Sequence, residues 1–530
     1  MFLKPKKTHD DGAALIVVIG LAAVIMIFVG VTGSLIVGAL HFSDTTRASV
    51  QAQAAGQAGI AVVAADLTKS TCALPYTHST TPVYSVTVSY QRTASGTTWI
   101  PGCPSTAPDV TKVKIVAVGT GTAFQPVKKT VESIFNYIPA VTPPGITTSG
   151  SAIYGYNELD GTITNLKITQ QGSADKPGIE FKSGNAKCQT GGVIEGDVIL
   201  GNGAYNSPSG CTINGDLWAS QTVAIGNNSI ITGSVHAAGT ANPTVSVAGG
   251  AAVNGNIYSA GPVSIGGNVG GNIITGPTGG QSNITATVGG SVVSAGTVKV
   301  SNGGSVAGGI TQNKTGITAP TAPTVPSWVD FNYVKTDWVD GNGVPFVEVK
   351  PTTCTAAAIA AALNTAAETI VNTLTSPCGG GQVNLTGTTL SLQADTVLVA
   401  NSFELKNMTI TSAAGLSGPQ RRLWIITPDV LADGQPTCNS PESQSQIDNQ
   451  VQFDKSVAVF IYTPCGLSNS GSELWGQLYT SSITFNNAFV LDFVQMGLPG
   501  VNFDNGTYTP PPPPTPGKLS TLFSTRNISG

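Results

Sequence analysis

The chain has 530 residues, of which 10% are charged, with 64 glycines, 33 prolines and a formal net charge of −4. That length has room for roughly two to four domains, and scarce charge beside plentiful Gly, Ser, Thr and Asn suits a β-rich solenoid better than a helical cytosolic enzyme. No basic patch follows the first seven residues, which argues against nucleic acid as a partner.

Lys4, Lys6 and Lys7 precede a stretch, residues 13–40, without one charged side chain. It exceeds the roughly 20 residues that cross a bilayer and the short core of a cleaved secretory signal, so it is expected to be a transmembrane helix with the lipid bilayer as its partner. The lysines place residues 1–12 in the cytoplasm and the bulk of the chain outside, as a single-pass protein of the cell membrane. Residues 41–70 are Ala-rich and put Ile60, Val63 and Leu67 on one helical face, which extends the helix as a stalk. Gly56 and Gly59 each cost about 1 kcal/mol inside a helix, so a bend is expected there.

The run Asp10-Asp11-Gly12-Ala13-Ala14-Leu15-Ile16-Val17-Val18, with Gln53-Ala54-Ala55-Gly56-Gln57-Ala58-Gly59-Ile60 on the same extension, resembles the N-terminal region of PilX-type pilin-like proteins, relatives of type IV prepilins. The resemblance covers about the first 70 residues. It implies a leader cut by prepilin peptidase between Gly12 and Ala13, pilus components as partners, and a small sheet packed on the helix. The family usually carries Glu at the fifth position after the cut, where this chain has Val17.

Residues 71–145 contain strand-like runs at 84–90 and 113–118 and read as a small pilin-head-like segment; Pro139, Pro143 and Pro144 mark a linker out of it. From 146 to 318 the chain repeats. An apolar residue, any residue, Gly, a small polar residue and another apolar residue recur with central glycines Gly196, Gly215, Gly233, Gly255, Gly271, Gly290 and Gly308. Alternating pairs such as Val223-Ala224-Ile225 and Val263-Ser264-Ile265 lie between the copies, so each copy is one coil of a solenoid of short strands joined by tight bends. Asp197, Asp216, Asn256 and Asn272 recur in register with the repeat, which marks them as corner residues rather than catalysts. The pattern resembles bactofilins, and that resemblance implies a right-handed parallel β-helix. The fold class expected is therefore mainly β, with an N-terminal transmembrane helix and stalk, a β-helix and a small helical insertion.

Residues 319–350 combine a Pro/Thr linker with Trp328, Phe331, Tyr333, Trp338 and Phe346, expected to plug an end of the solenoid; a carbohydrate-stacking platform is the alternative. Ile359, Leu363, Ile370 and Leu374 share a face at helical spacing and predict a helix within 351–381. Apolar alternation returns in 382–508, where the β-helix resumes, and 509–530 reads as an extended Pro-rich tail. With both sides of the repeats so flanked, both ends of the solenoid are expected to be covered.

The eight cysteines fall as neighbours, Cys72 with Cys103, Cys188 with Cys211, Cys354 with Cys378 and Cys438 with Cys465, and none shows the C-x-x-C spacing of zinc or redox sites. They read as four sequential disulfides at the edges of the solenoid, with buried free thiols as the alternative. Disulfides require an oxidising compartment.

Ionisable groups are too sparse in the repeats for the paired carboxylates or base-and-cation sets of polysaccharide enzymes. Asp429, Asp433, Arg421 and Arg422 read as a solvated loop. No catalytic residue, metal ligand or cofactor-binding residue is assigned, and the chain is read as not an enzyme. Two functions remain in view. One is a membrane-anchored extracellular structural or adhesive protein, a type IV pilus-associated subunit presenting a β-helix. The other is a surface β-helix that binds or cleaves polysaccharide.

Overall fold

The structure, a computed structural model, describes residues 11–528 except 70–71, 94–95, 105–109, 124–125, 139–145, 158, 161–165, 171–175, 341–343, 416–419, 440–443, 449 and 513–516. It forms two compact units, one of residues 1–142 with 513–530 and one of residues 143–512. The solenoid is thus an insertion within the smaller unit.

In the smaller unit α1 (Asp11–Thr68) is one unbroken helix of 58 residues, about 87 Å long. Its first half leaves Leu15 to Phe42 bare, and the segment is long and apolar enough to cross a membrane. Its second half buries Ala48, Ala52, Ala55, Ile60, Val63 and Leu67 against an antiparallel sheet of β1 (Tyr76–His78), β2 (Val83–Arg92), β3 (Ile100–Pro101), β4 (Val110–Gly121) and β5 (Val127–Ile138). Val113, Ile115 and Ala117 alternate inward along β4 as a one-sided strand requires.

The helix runs unbroken through Gly56 and Gly59. Those glycines let the sheet approach: a Cβ on Gly59 would lie 2.9 Å from Tyr84 and Val86 side-chain carbons. The sheet reciprocates, since a Cβ on Gly119 would lie 2.0 Å from the Ala52 carbonyl oxygen and one on Gly121 1.9 Å from that of Ala48.

The C-terminal end also differs from expectation. Residues 518–528 are not a tail; they form a strand (Lys518–Ile528) that pairs antiparallel with β5. Arg526 Nε donates to Glu132 Oε1 at 2.7 Å, and Asn136 donates to Thr521 at 2.9 Å. The strand covers the edge of the sheet that β5 would otherwise leave open.

The larger unit is a parallel β-solenoid, and each repeat motif is a pair of strands around a corner. The corner residues form a ladder: Asp197 Oδ1 accepts from the Asp216 amide, Asp216 Oδ1 from Ser234, Ser234 Oγ from Asn256, Asn256 Oδ1 from Asn272 and Asn272 Oδ1 from Ser291, at 2.7–3.1 Å. This ladder bears on the central glycines from Gly215 to Gly290. A Cβ on Gly233 would lie 2.2 Å from Asp216 Oδ1, and one on Gly271 2.4 Å from Asn256 Oδ1. Left-handed corners after the second strands fall on Asn228, Gly250 and Asn302, with φ of 59°, 79° and 53°.

Register shows how the coils are ordered in space. One column of paired residues runs Asn372, Val399, Ile426, Tyr462, Tyr479, Tyr154, Glu180, Ile199, Trp218, His236, Tyr258, Ile274, Val293, Thr311. Fourteen rungs at ~4.8 Å give a rod of about 60 Å. The chain therefore enters the rod at its middle, near Tyr154, and winds to one end at Thr311. It then crosses back along the side and winds from the other end until strands Glu473–Thr480 and Val490–Phe493 join 153–155 and 167–170. The core is continuous across this splice, with Ile153, Ile168, Leu478 and Leu491 all buried in it.

Four expectations change here. The predicted helix is confined to α2 (Ala356–Leu363), because Thr369-Ile370-Val371-Asn372 is a β-branched run and forms a strand. The aromatic segment is a strap along the side of the rod, not an end plug. Among the described residues only one end is covered: α2 lays Ile359 and Leu363 over the core, while strands Thr297–Val300, Ser305–Val306 and Ile310–Thr311 pair on one side alone and leave Val300 and Ile310 36% and 41% exposed. The cysteines pair as expected, at Cα separations of 4.8–6.0 Å, but Cys188–Cys211 ties two successive coils inside the core rather than an edge.

Candidate functional site

The outward column of the rod is the surface on which chemistry could be built, because inward positions are filled by the core. In the C-terminal half the outward side chains are Tyr462, Tyr479 and Trp424, large rings that need cover, and the strap supplies it. Tyr154 donates its hydroxyl to the Pro326 carbonyl at 2.9 Å, and the Tyr479 hydroxyl accepts from the Val329 amide at 3.1 Å. The Tyr462 hydroxyl donates to the Val329 carbonyl at 2.6 Å and accepts from the Phe331 amide at 3.1 Å. Burial pushes all three phenols above their ordinary range.

Trp328, 2% exposed, lies among these tyrosines and donates its indole N–H to Asp429 Oδ2 at 2.9 Å. Asp429 is not on a solvated loop: it is 1% exposed, also accepts from the Thr437 amide at 3.0 Å, and burial raises its pKa. Its carboxylate holds the strap to the coil. Trp338 meets Trp424 edge to face at 5.5 Å, and residues 496–503 cover the neighbouring column, with Trp424 Nε1 donating to the Gly497 carbonyl at 2.9 Å.

Further along, the strap loosens. Ile317 seats against Gly276 and Val325 against Gly201, but the residues between, 318–324, are exposed or half-exposed. Beneath them Trp218, His236 and Tyr258 stack on consecutive rungs, with ring centroids 3.4 and 4.7 Å apart and planes within 9° and 15°. They floor a groove of about 380 Å³ walled by Ile274, Ile317 and Pro320. Burial lowers the His236 pKa to about 4, against a smaller upward pull from Asp216, so the imidazole is neutral at pH 7.

Two rungs below Trp218 in the column, Glu180 is 8% exposed. Burial raises its pKa to about 7, the Asp504 carboxylate adds to the rise, and Ser151 and Lys176 oppose it. Lys176 itself pairs with Asp504 at 2.7 Å. Among the described residues no three His, Cys, Asp or Glu side chains converge as metal ligands.

Gly12 and Ala13 lie in the first turn of α1, and their side chains are outside the described residues, as is the leader 1–10. Sequence reading passed over Trp218 and Tyr258. The signal was present: each stands three residues after a central motif glycine, as does His236.

No family model matches the chain, and no curated protein does. Among solved structures, the crystal structure of competence-associated pilin ComZ from Thermus thermophilus is similar to it over 91% of this chain and 98% of that chain, at 12% identity and a TM-score of 0.20. So low a score assigns no fold.

Proposed function

We propose that this chain is a membrane-anchored, pilin-like subunit that carries a rigid β-solenoid as an extracellular structural or adhesive element, and that it is not an enzyme. The observation that supports this is the division of α1. Its first half is bare and apolar, fit for a bilayer or for packing among like helices, while its second half is built into a small antiparallel sheet. That is the arrangement the resemblance to PilX-type proteins implies. Basic residues before the span and four disulfides after it support an N-terminus in the cytoplasm and the solenoid outside. Prepilin peptidase and pilus components are the partners this reading proposes.

The non-catalytic part rests on chemistry: the buried Asp429 and Glu180 are engaged by the strap and by neighbouring coils, and the buried Glu132 and Asp337 are bonded by Arg526 and by Thr336 and Tyr508, rather than facing one another across a cleft. The test is to recover the protein from its native cells and determine its N-terminus and location. Processing to Ala13 together with co-purification in sheared surface filaments is expected. An intact leader with all of the protein retained in the membrane would reject the filament role and leave only the anchor; protection of the solenoid from protease added to intact cells would reject the topology.

A further inference from the structure

From Ile199 to Tyr462 the strap covers the outward column closely. Over Ile199 and Tyr154 it places Val325 and Pro326, and over the next coils Trp328 and Phe331. Over Trp218, His236 and Tyr258 it arches away, between anchors at Ile317 and Val325 and stiffened by Pro320 and Pro323. The three rings spend their faces on one another, so the groove receives their edges. Among the described residues the Trp218 indole N–H, the His236 nitrogens and the Tyr258 hydroxyl make no hydrogen bond within the protein.

We propose that this groove binds a neutral glycan segment, its hydroxyls taken by the ring-edge donors and acceptors and its C–H faces by Ile274, Ile317 and Pro320. Four features select that chemistry. The polar groups repeat once per coil, ~4.8 Å apart along an open groove, which suits a chain of like units better than a compact ligand. The floor carries no net charge at neutral pH, and Asp216, the nearest acid, spends Oδ1 on the Ser234 amide, so an anionic polymer gains nothing. A peptide added as a strand would need free backbone groups, yet the strands bearing these rings are paired on both sides. A purely apolar ligand would bury the ring-edge donors without partners, which is costly. Size agrees: the groove lies within the range of small-ligand sites.

The inference is independent of filament assembly, because binding is read on the isolated protein. The full chain in lipid nanodiscs, free of glycoside detergent, would be titrated calorimetrically with cellohexaose, maltohexaose and chitohexaose, with hexagalacturonate as the charged control. At least one neutral hexaose is expected to bind, and hexagalacturonate to bind more weakly. Trp218→Phe and Tyr258→Phe keep a ring on each rung and remove one donor each, so each should weaken binding about tenfold, the equivalent of about one hydrogen bond; unchanged circular dichroism would show the rod intact. The proposal is overturned if no neutral hexaose binds at millimolar concentration, if the acidic hexaose binds as well as the neutral ones, or if the double variant W218F/Y258F binds as wild type.

Discussion

Removing the Trp328 side chain tests whether the strap holds the rod together. The indole is 2% exposed, packs against Tyr154, Tyr462 and Tyr479, and donates to Asp429. Truncating a buried Trp to Ala costs about 3–5 kcal/mol through lost transfer energy and an unfilled cavity. Leaving Asp429 short of one donor adds ~1 kcal/mol or more; the penalty is limited because the Thr437 amide still serves the same carboxylate oxygen. Trp328→Ala should therefore destabilise the solenoid by roughly 4–6 kcal/mol. Trp328→Phe, which keeps most of the ring, should cost about 1–3 kcal/mol and couple to Asp429→Ala in a double-mutant cycle. Val430→Ala, next to Asp429 in the chain but 58% exposed, should change stability by less than ~0.5 kcal/mol. The assay is urea unfolding followed by far-ultraviolet circular dichroism, which does not depend on the deleted fluorophore. A cost for Trp328→Ala below ~1 kcal/mol, or no coupling between Trp328 and Asp429, would refute a seated strap.

Three further outcomes follow from other parts of the molecule. Gly119→Ala places a methyl where the Ala52 carbonyl lies, 2.0 Å away, so α1 must lift from the sheet at a cost of about 1–3 kcal/mol or more, read as faster proteolysis within β2–β5. The buried Glu180 and the half-buried His236 titrate in opposite senses. Glu180, raised from 4.5 to about 7, makes stability fall as pH rises through that window, and Glu180→Gln should flatten the fall; His236, lowered from 6.5 to about 4, makes stability fall as pH drops from 6.5 toward 4, and His236→Phe should remove that loss. Non-reducing peptide mapping should recover the pairs Cys72–Cys103, Cys188–Cys211, Cys354–Cys378 and Cys438–Cys465, and each bond should contribute ~3 kcal/mol through loop closure; free thiols in fresh protein would contradict this.

The repeats were legible because their cause is local. Gly233, Gly271 and Gly290 are glycine since a corner oxygen of the previous coil occupies the Cβ position, and the same oxygen crowds Gly215 and Gly255. The membrane-length span was legible from charge alone. What the sequence did not disclose depends on partners hundreds of residues away. Lys518–Ile528 has the composition of a polar tail, and only its pairing with β5 makes it a strand. Trp328 and Phe346 read as a plug because nothing local says that Tyr462, Tyr479 and Trp424 face outward and need cover. A hint existed in 423–426 and 457–462, continuous apolar runs that mark strands buried on both faces. The misread helix at 369–372 shows helical spacing losing to β-branched residues.

The central claim is that one rod is spliced from two distant stretches of chain, with its beginning at the middle. Thr169 and Asp492 are register partners across that splice, and their side chains are hydrogen-bonded. All eight native cysteines are in disulfides, so a new pair at Thr169→Cys and Asp492→Cys reports cleanly, and adjacent parallel strands bring Cα atoms within disulfide reach. Peptide mapping of the oxidised double variant should recover an intramolecular 169–492 bond in nearly every molecule. Two persistently free thiols, or a bond formed only between molecules, would show that 382–508 is a separate domain and that the continuous rod does not exist.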